Sequence, residues 1–427
     1  MQTERLYEKF IETGKISTDT RQISEGSIFF ALRGDKFNAN QFAIQALEKG
    51  ARYAVVDEPE YANDPRCLLV DDVLTALQDL ARHHRKQLSI PVIGLTGSNG
   101  KTTSKELLSA VLSKQFIVYA TRGNLNNHIG VPLSVLSITP QTEIAVIEMG
   151  ANHVGEIALL CSIAKPTHGF ITNIGKAHIG TFGGFENIIR GKSELYQHLI
   201  VNKGTVFINS QNPILANMAK RFSEPYFYSS PGDYYSARLL DAEPFIRFEA
   251  ENTELVQTHL LGAYNFENIL AALCIGKFFG VSAKEANQAI AGYVPGNMRS
   301  QIIKTKSNTI ILDAYNANPS SMEAAINNLA AMKTVRKVAI LGDMFELEEE
   351  AEAEHAKIGE LLLKKNFDGV FLCGGLMSTA SKVYPQAKYF ETKQALLEFV
   401  KSNPINDATI LIKASRGIGL ESVVEHL

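Results

Sequence analysis

Short apolar runs alternate with amphipathic stretches along the 427-residue chain, and this alternation divides it into three blocks. The first block, residues 1–88, has its apolar runs at 27–32, 53–56 and 67–70. A helical pattern over 41–49 lies between the first two runs, so we predict a small α/β unit. The block ends at residues 81–86, Ala-Arg-His-His-Arg-Lys, which we interpret as a solvated helix end at a domain boundary.

The second block, residues 89–296, predicts a mostly parallel sheet with helices on its faces. Its apolar runs are residues 91–96, 144–149, 169–174 and 204–208. Helical patterns lie between these runs, which is the alternation that parallel sheets require. From residue 234 to 261 the pattern changes to period two, with Phe245, Arg247 and Glu249 on alternate positions. That change predicts a small antiparallel addition.

The third block, residues 297–427, follows Pro295-Gly296 and repeats the strand–helix alternation. Strands are predicted at 309–312, 338–341, 369–373 and 409–412. We therefore expect a doubly wound, Rossmann-like unit with ligand groups beyond the carboxyl ends of its strands. An acidic run over 346–354 puts like charges at i and i+4, which disfavours a helix, so we interpret it as a solvated helix start. The predicted fold class is α/β in three domains.

Composition narrows the class of protein. With 45% hydrophobic and 20% charged residues, the chain has the composition of a globular protein with buried cores. A net charge of −3 argues against nucleic acid as a partner. No apolar run reaches membrane-spanning length, and the first residues do not open a signal peptide. Four scattered cysteines without zinc or redox spacing favour buried thiols in a reducing cytoplasm: Cys67, Cys161, Cys274 and Cys373. We expect a cytoplasmic monomer.

The strongest local signal is Thr-Gly-Ser-Asn-Gly-Lys-Thr-Thr at 96–103, after a predicted strand and before a helical pattern at 104–112. Glycines let backbone N–H groups approach phosphate oxygens, and a helix N-terminus adds positive potential. The lysine reaches the terminal phosphates and a hydroxyl ligates Mg²⁺. Leu95 stands where the longer P-loop motif has its first glycine, and a tight structural turn is the alternative. We predict phosphate binding by Gly97, Ser98, Asn99, Gly100, Lys101, Thr102 and Thr103.

Two further segments carry polar residues that an ordinary core does not need. Residues 123–132 hold three asparagines within four positions, which serve either as turn formers or as neutral ligand contacts. Glu148 ends a predicted buried strand, where an unpaired carboxylate is costly. Either a metal ion or backbone N–H groups would balance it.

Together with the P-loop, several segments resemble those of the Mur ligase family, in the same order along nearly the whole chain. They are residues 17–21, 26–34, 123–132, 147–157, 172–178, 191–194, 262–272, 313–322, 342–347 and 413–416. The resemblance implies an ATP-dependent ligase that joins a carboxylate to an amine. It also implies a UDP-substrate domain at 1–88, a P-loop ATPase domain at 89–296 and a ligase domain at 297–427.

The resemblance further implies a catalytic group and a metal site. The catalytic candidates are Lys101, Glu148, His178 and Lys192. Thr102, Glu148 and His178 would bind two Mg²⁺ ions, together with Lys192 if it is carbamylated. A carbamate turns the lysine into an oxygen donor and needs a neutral amine first. The alternatives from the residues alone are a core histidine at 178 and a salt-bridged lysine at 192.

Other matching positions imply contacts with nucleotide and substrate. Asn265 and Asn268 would share a helix face and pair with the adenine edge, unless Asn265 only caps the helix. Arg299 and Asp313 complete the expected ATP site, with Asp313 near the ribose. The substrate candidates are Thr20, Arg21, Gly34, Asn124, Asn126, Asn127, Tyr315, Asn316, Lys413 and Arg416. For Lys413 and Arg416 the alternative is a surface helix start.

Segments 148–157 and 313–322 are most similar to the branch of the family that adds D-alanyl-D-alanine to UDP-N-acetylmuramoyl-tripeptide through an acyl phosphate. Three segments depart from the pattern: residues 38–40 read Asn-Ala-Asn in place of Asp-Gly/Ala-His, and Glu348 and Ala414 each replace a glycine. The alternatives are a sister ligase that adds the third residue, a folylpolyglutamate synthetase, and a binding protein switched by nucleotide. Retention of the metal candidates favours an enzyme.

Overall fold

The computed structural model describes residues 1–34 and 37–427, and it begins with a small parallel sheet. Strands β1, β2, β5 and β6 lie side by side in that order, all parallel. A short antiparallel pair, β3 and β4, lies beside them. The elements are α1 (Thr3–Thr13), β1 (Ile16–Ser17), β2 (Ile28–Phe30), β3 (Arg33–Gly34), β4 (Phe37–Asn38), α2 (Ala43–Glu48), β5 (Tyr53–Val56), β6 (Cys67–Leu69) and α3 (Val73–Lys86).

The end of α3 is only partly solvated, because Lys86 is exposed but the two residues before it are not, and our interpretation is wrong for those two. His84 and Arg85 are buried. His84 Nε2 lies 2.9 Å from the Ile138 carbonyl, and Arg85 donates to the Ala164 carbonyl at 2.9 Å. Burial lowers the pKa of His84. The polar residues at this helix end therefore dock the first unit onto the second.

The second unit is a six-stranded parallel sheet in the order β12-β11-β10-β7-β9-β8. Helices cover both faces, and two apolar clusters fill the space between. The sheet elements are β7 (Val92–Thr96), α4 (Lys101–Leu112), β8 (Val118–Ala120), α5 (Gly130–Leu136), β9 (Ile144–Glu148), α6 (Glu156–Ala164), β10 (His168–Ile171), α7 (Ile179–Phe182), α8 (Phe185–Val201), β11 (Thr205–Asn209), α9 (Pro213–Ala219) and β12 (Tyr226–Tyr228).

The period-two pattern forms a three-stranded antiparallel sheet, as predicted. Ile246 and Phe248 face the core while Arg247 faces solvent. The two helices that follow this sheet pack against α4. The elements are β13 (Arg238–Asp241), β14 (Phe245–Glu249), β15 (Leu255–Leu261), α10 (Phe266–Phe278) and α11 (Ala283–Gly292).

The third unit is a six-stranded sheet in the order β16-β17-β21-β18-β19-β20. Only β16 runs antiparallel to its neighbour; the other pairs are parallel. The elements are β16 (Gln301–Lys304), β17 (Asn308–Asp313), α12 (Pro319–Ala331), β18 (Lys337–Gly342), α13 (Ala351–Leu363), β19 (Gly369–Cys373), α14 (Met377–Val383), β20 (Lys388–Phe390), α15 (Lys393–Ser402) and β21 (Ala408–Lys413).

The predicted α/β class with mostly parallel sheets is confirmed, and each predicted strand is present within two to three residues of its expected ends. The edge strands β8, β12, β16 and β20 were not predicted, since their apolar runs are short. Three of the cysteines are buried free thiols and Cys67 is half-buried. No helix in the described residues is long and apolar enough to cross a membrane.

Candidate functional site

The carboxyl ends of the second and third sheets face one cavity of about 780 Å³. The residues that follow β7, β9 and β10 line it from one side, and those that end β17 and β21 line it from the other. This is where parallel sheets place ligand groups, because backbone N–H groups and loop side chains meet there. The cavity therefore joins polar segments that lie far apart in the chain.

The P-loop at 97–103 needs its glycines for geometric reasons. Gly97 and Gly100 have φ values of +147° and +77°, in the region that favours glycine. A Cβ on Gly97 would lie 2.0 Å from Thr172 Oγ1, and one on Gly100 would lie 2.5 Å from Asn268 Oδ1. Lys101 Nζ donates to the Gly97 carbonyl at 2.7 Å, and burial lowers the pKa of this amine. The loop and lysine have the arrangement that binds phosphate.

Glu148 lies at the end of β9 and is almost completely buried, at 1% exposure. Thr102 Oγ1 donates to its two carboxylate oxygens at 3.1 and 3.3 Å. Asn126 Nδ2 donates to Oε1 at 2.9 Å. Lys105 Nζ lies 3.7 Å from Oε2. A hydroxyl and a carboxylate beside a P-loop are the hard oxygen donors that Mg²⁺ prefers, so this donor set fits the ion.

His178 lies at the start of α7 with a left-handed φ of +58°. Its Nδ1 is 2.5 Å from Glu346 Oε2, and this contact lowers the pKa of Glu346. Metal-binding histidines commonly turn their second ring nitrogen toward a carboxylate. Within residues 1–34 and 37–427, however, no three histidine, cysteine, aspartate or glutamate side chains are grouped as a metal site.

The acidic run at 346–354 leads into α13 as predicted, and Glu348–Glu350 are exposed, but its two end residues are not free in solvent. Glu346 faces His178, and buried Glu354 accepts hydrogen bonds from Lys176 at 2.9 Å and Lys357 at 2.7 Å. Glu348, where the family has glycine, adopts a left-handed φ of +46°. The ends of the run therefore contact the second unit through Lys176 and His178, which lie far away in sequence and which the prediction did not include.

Lys192 lies just behind the cavity wall rather than on it. It is 1% exposed, and Nζ donates to the carbonyl of Ala151, which does line the cavity, at 3.1 Å. Burial, and then the nearby charge of Lys101, lower the pKa of Lys192 well below its usual range. A lowered pKa increases the share of the neutral amine, which is the form that reacts with CO₂.

Asn265 and Asn268 line the cavity but also hold the P-loop helix. Ser104 Oγ donates to Asn268 Oδ1 at 2.9 Å, Asn268 Nδ2 donates to Asn265 Oδ1 at 2.9 Å, and Asn265 Nδ2 donates to the Leu261 carbonyl at 2.8 Å. The asparagine at 265 makes no side-chain cap of α10. The two carboxamides thus connect the P-loop helix to the end of β15.

The third unit contributes cations and an aromatic ring. The Arg299 guanidinium lies 3.8 Å from the centre of the Tyr315 ring, and the Arg416 guanidinium lies 5.1 Å from it. Arg299 Nε is buried with no hydrogen-bond partner in the described part of the chain, so it fits an anionic or polar ligand. Lys413 Nζ donates to Asp313 Oδ2 at 2.6 Å.

One hydrogen bond joins the third unit to the P-loop itself. Asn318 Nδ2 donates to Asn99 Oδ1 at 2.8 Å. Asn318 also caps α12 by accepting from the Ser321 N–H, which fixes its side chain. The P-loop and the start of α12 are therefore held in register across the cavity.

The structure brings most of the predicted residues together. Those that line the cavity are Ser98, Asn99, Gly100, Lys101, Thr102, Thr103, Asn124, Asn126, Asn127, Glu148, His178, Asn265, Asn268, Arg299, Asp313, Tyr315, Asn316 and Lys413. Gly97, Lys192 and Arg416 lie next to lining residues. Thr20, Arg21 and Gly34 are in the first unit, away from this lining. Arg21 is exposed and pairs with Asp19 at 2.6 Å.

Sequence reasoning missed several residues of the site: Ser104, Lys105, Asn173, Asn318 and Glu346. A usable signal existed for Lys105, because it follows Lys101 by four positions on the same helix face. Asn173 directly follows a predicted strand. Glu346 carried no such signal, since its partner His178 belongs to another unit.

Three family models match the chain in succession. "Mur ligase family, catalytic domain" matches residues 13–85, "Mur ligase middle domain" matches 95–276, and "Mur ligase, glutamate ligase domain" matches 298–416. The chain is 37% identical over 434 residues to the UDP-N-acetylmuramoyl-tripeptide--D-alanyl-D-alanine ligase of Bacillus subtilis (strain 168). That alignment covers 99% of this chain and 94% of the relative.

Two solved structures are similar over nearly the full length. A crystal structure of MurF from Acinetobacter baumannii superimposes with a TM-score of 0.87 at 31% identity and covers 96% of this chain and 92% of that one. The structure of the MurF ligase from Thermotoga maritima in complex with ADP gives a TM-score of 0.83 at 28% identity, with 97% of each chain covered.

Proposed function

The chain belongs to the Mur ligase family, and we propose that it uses ATP to join D-alanyl-D-alanine to UDP-N-acetylmuramoyl-tripeptide, which forms a peptidoglycan precursor. The single observation that carries this proposal is the convergence of the P-loop, the asparagine segment 124–127 and the start of α12 on one cavity. Segment 124–127 and the start of α12 resemble the dipeptide-adding branch, whereas the sister ligase and the folate enzyme would share the P-loop. Those two alternatives are disfavoured by segments 148–157 and 313–322 and by the relatives. The candidates Glu148, His178 and Lys192 argue against a nucleotide switch.

The chemistry divides into two steps. The tripeptide carboxylate attacks the γ-phosphorus of ATP, and ADP leaves, which gives an acyl phosphate. The dipeptide amine then attacks the acyl carbon, loses a proton, and expels inorganic phosphate. Because two anions meet in the first step, charge neutralisation is the main physical problem that the site must solve.

The chain's own cations address that problem at the phosphates. Lys101 and the N–H groups of 97–103 bind the phosphate chain, and Arg299 supplies a guanidinium with a free donor. Asn265, Asn268 and Asp313 hold the base and ribose. This cation-rich cavity supports nucleotide binding at the carboxyl ends of the strands.

For the metal, Thr102 and Glu148 would hold one Mg²⁺, and His178 with a carbamylated Lys192 would hold a second. Magnesium bound there supplies positive charge to the phosphate oxygens. The contact between His178 and Glu346 orients the imidazole. The buried amine of Lys192 supports carbamylation, because CO₂ adds only to a neutral amine.

For the other substrates, Asn124, Asn126, Asn127, Tyr315, Asn316, Lys413 and Arg416 would contact the tripeptide and dipeptide. Thr20, Arg21 and Gly34 would contact the uridine end in the first unit. We propose domain limits of 1–88, 89–296 and 297–427. We further propose that the protein is a cytoplasmic monomer.

The test offers the purified protein ATP, Mg²⁺ and UDP-N-acetylmuramoyl-tripeptide, and measures phosphate release with D-alanyl-D-alanine, single amino acids, or folate plus glutamate. We expect release only with the dipeptide, and a product whose mass rises by that of D-alanyl-D-alanine less water. Lys101→Ala should be folded but inactive. Preference for a single amino acid would indicate the sister ligase instead.

A further inference from the structure

Lys105 is a buried cation that the two-step reaction described above does not use. It lies one turn after Lys101 on α4 and is 4% exposed. Its Nζ lies 3.7 Å from Oε2 of Glu148, which is itself 1% exposed. A buried lysine and a buried glutamate at this distance neutralise each other, and neither is stable there without the other.

The charge of Lys101, the other lysine on this face, also acts on Glu148, but its ammonium group is held elsewhere. Lys101 Nζ donates to the carbonyls of Gly97 and Ser98, at 2.7 and 3.3 Å. The neutral donors Thr102 and Asn126 satisfy hydrogen bonds of Glu148 but not its charge. Lys105 is therefore the resident counter-ion of Glu148, the residue that we assign to Mg²⁺.

We propose that Lys105 makes divalent-cation binding at Glu148 depend on the nucleotide. This inference rests on the proposed function, because it takes Glu148 as a magnesium ligand. A divalent ion that arrives alone meets a carboxylate already balanced by Lys105, with a second ammonium on Lys101 close by, and like charges repel strongly in a buried site. An ion that arrives on a nucleotide brings the negative charge of the phosphates, which balances both lysines.

This dependence on the nucleotide gives a reason for a buried cation beside a metal ligand. Free Mg²⁺ would bind weakly to the protein, and the metal would be bound only as its nucleotide complex. The ion and the phosphates would then enter the site together.

The test measures Mn²⁺ binding by electron paramagnetic resonance, without nucleotide and with saturating ADP. Mn²⁺ is a suitable probe because it takes the same oxygen ligands as Mg²⁺. Two neutral variants, Lys105→Met and Lys105→Gln, are compared with the charge-preserving Lys105→Arg. Without nucleotide we expect both neutral variants to bind Mn²⁺ at least about tenfold more tightly than the wild type, since a nearby positive charge has been removed. Lys105→Arg should bind Mn²⁺ as weakly as the wild type.

With ADP present the gain should shrink to less than about threefold, because the phosphates already neutralise the site. The gain should also disappear in the double variant Lys105→Met/Glu148→Gln. Circular dichroism reports whether each variant is folded, and if Lys105→Met is not, Lys105→Gln is judged by the same criterion.

Equal or weaker Mn²⁺ binding by the folded neutral variants without nucleotide would overturn the proposal. So would an equal gain in Lys105→Arg, or a gain that survives in the double variant. Failure of the proposed function is detected separately, by the wild-type assay with tripeptide and dipeptide, which does not depend on Lys105 variants.

Discussion

Polar side chains at the two ends of the central sheet lie in different surroundings. Strand β10 begins at His168 and ends beside Thr172, and α10 runs back from Phe266 to Phe278. At the carboxyl end these elements border buried charged groups that face a cavity. At the amino end the half-buried His168 packs against Phe207, Phe278 and Phe279, with ring centres 5.1 to 6.5 Å away.

The difference shows how one sheet separates stability from chemistry. The aromatic end removes apolar area from water and holds its histidine neutral, with a pKa lowered to about 4 by burial. The cavity end keeps Lys101, Lys105, Glu148 and Lys192 in or beside a polar cavity, at a cost in desolvation that bound ligands can offset. Substitutions at the cavity end should therefore change turnover, whereas those at the aromatic end should change stability and leave turnover unchanged.

The largest effect is expected from Glu148→Gln at the cavity end. The amide keeps the shape but removes the charge that would bind Mg²⁺, so kcat should fall by at least about a hundredfold. Phosphate release measures kcat, and the unfolding midpoint should also fall, because buried Lys105 loses its counter-ion. The exposed Glu186→Gln in α8 is the matched control and should retain activity. A Glu148→Gln protein with normal turnover and a lowered midpoint would make this residue structural.

If a carbamate on Lys192 supplies oxygen ligands, kcat of Lys192→Ala should also fall by about a hundredfold. Because the lost group is a small carboxylate, acetate or formate should restore part of the activity. Wild-type activity should fall after CO₂ removal at mildly acidic pH and return with bicarbonate. The exposed Lys220→Ala should respond to none of these additions. Full activity of Lys192→Ala without additives would exclude an essential carbamate.

At the aromatic end, Phe207→Ala should lower stability by about 3–5 kcal/mol, because it removes a fully buried ring and leaves a cavity. The expected change is in the unfolding midpoint in urea. KM for ATP, measured on the folded protein, should stay the same, and Phe207→Leu should lose less stability. A raised KM for ATP in Phe207→Ala would show that the aromatic end also affects the cavity, which would contradict the comparison.

The smallest effect concerns pH and His168. Its pKa is about 4 in the folded protein and about 6.5 when unfolded, so the unfolded chain binds more protons between these values. Stability should therefore fall as the pH drops below about 6.5. His168→Gln should reduce this loss between pH 7 and 5 by on the order of 1 kcal/mol. Urea midpoints at both pH values measure it; parallel curves for the two proteins would show that His168 is protonated at no extra cost.

Local patterns predicted the P-loop and the strand ends because both are contiguous in sequence. A strand, a glycine turn and a helix start fix where Lys101 and Thr102 lie, whatever surrounds them. The interpretation of residues 81–86 was wrong for the opposite reason. A polar helix end looks solvated unless its hydrogen-bond acceptors are known, and here these are the carbonyls of Ile138 and Ala164.

Predicting the candidate site depended in the same way on the distance between partners. The resemblance identified Glu148, His178 and Asp313 in separate motifs, and in the structure all three line one cavity. The sequence interpretation of Asn265 and Asn268 omitted their link to Ser104, which comes from a helix more than 150 positions earlier. Charge patterns also misled at Glu354, which is buried by Lys176 and Lys357.

The order of residues by itself determined the three α/β units, the phosphate loop and the chemical types available to the site, because these depend on neighbours along the chain. Only the tertiary structure decided which groups meet. Asn99 and Asn318 are 219 positions apart, yet share a hydrogen bond of 2.8 Å. Lys105 became the counter-ion of Glu148, and Glu346 the partner of His178. Such pairings follow from how separate sheets and helices pack, and packing joins side chains whose spacing in the sequence carries no signal.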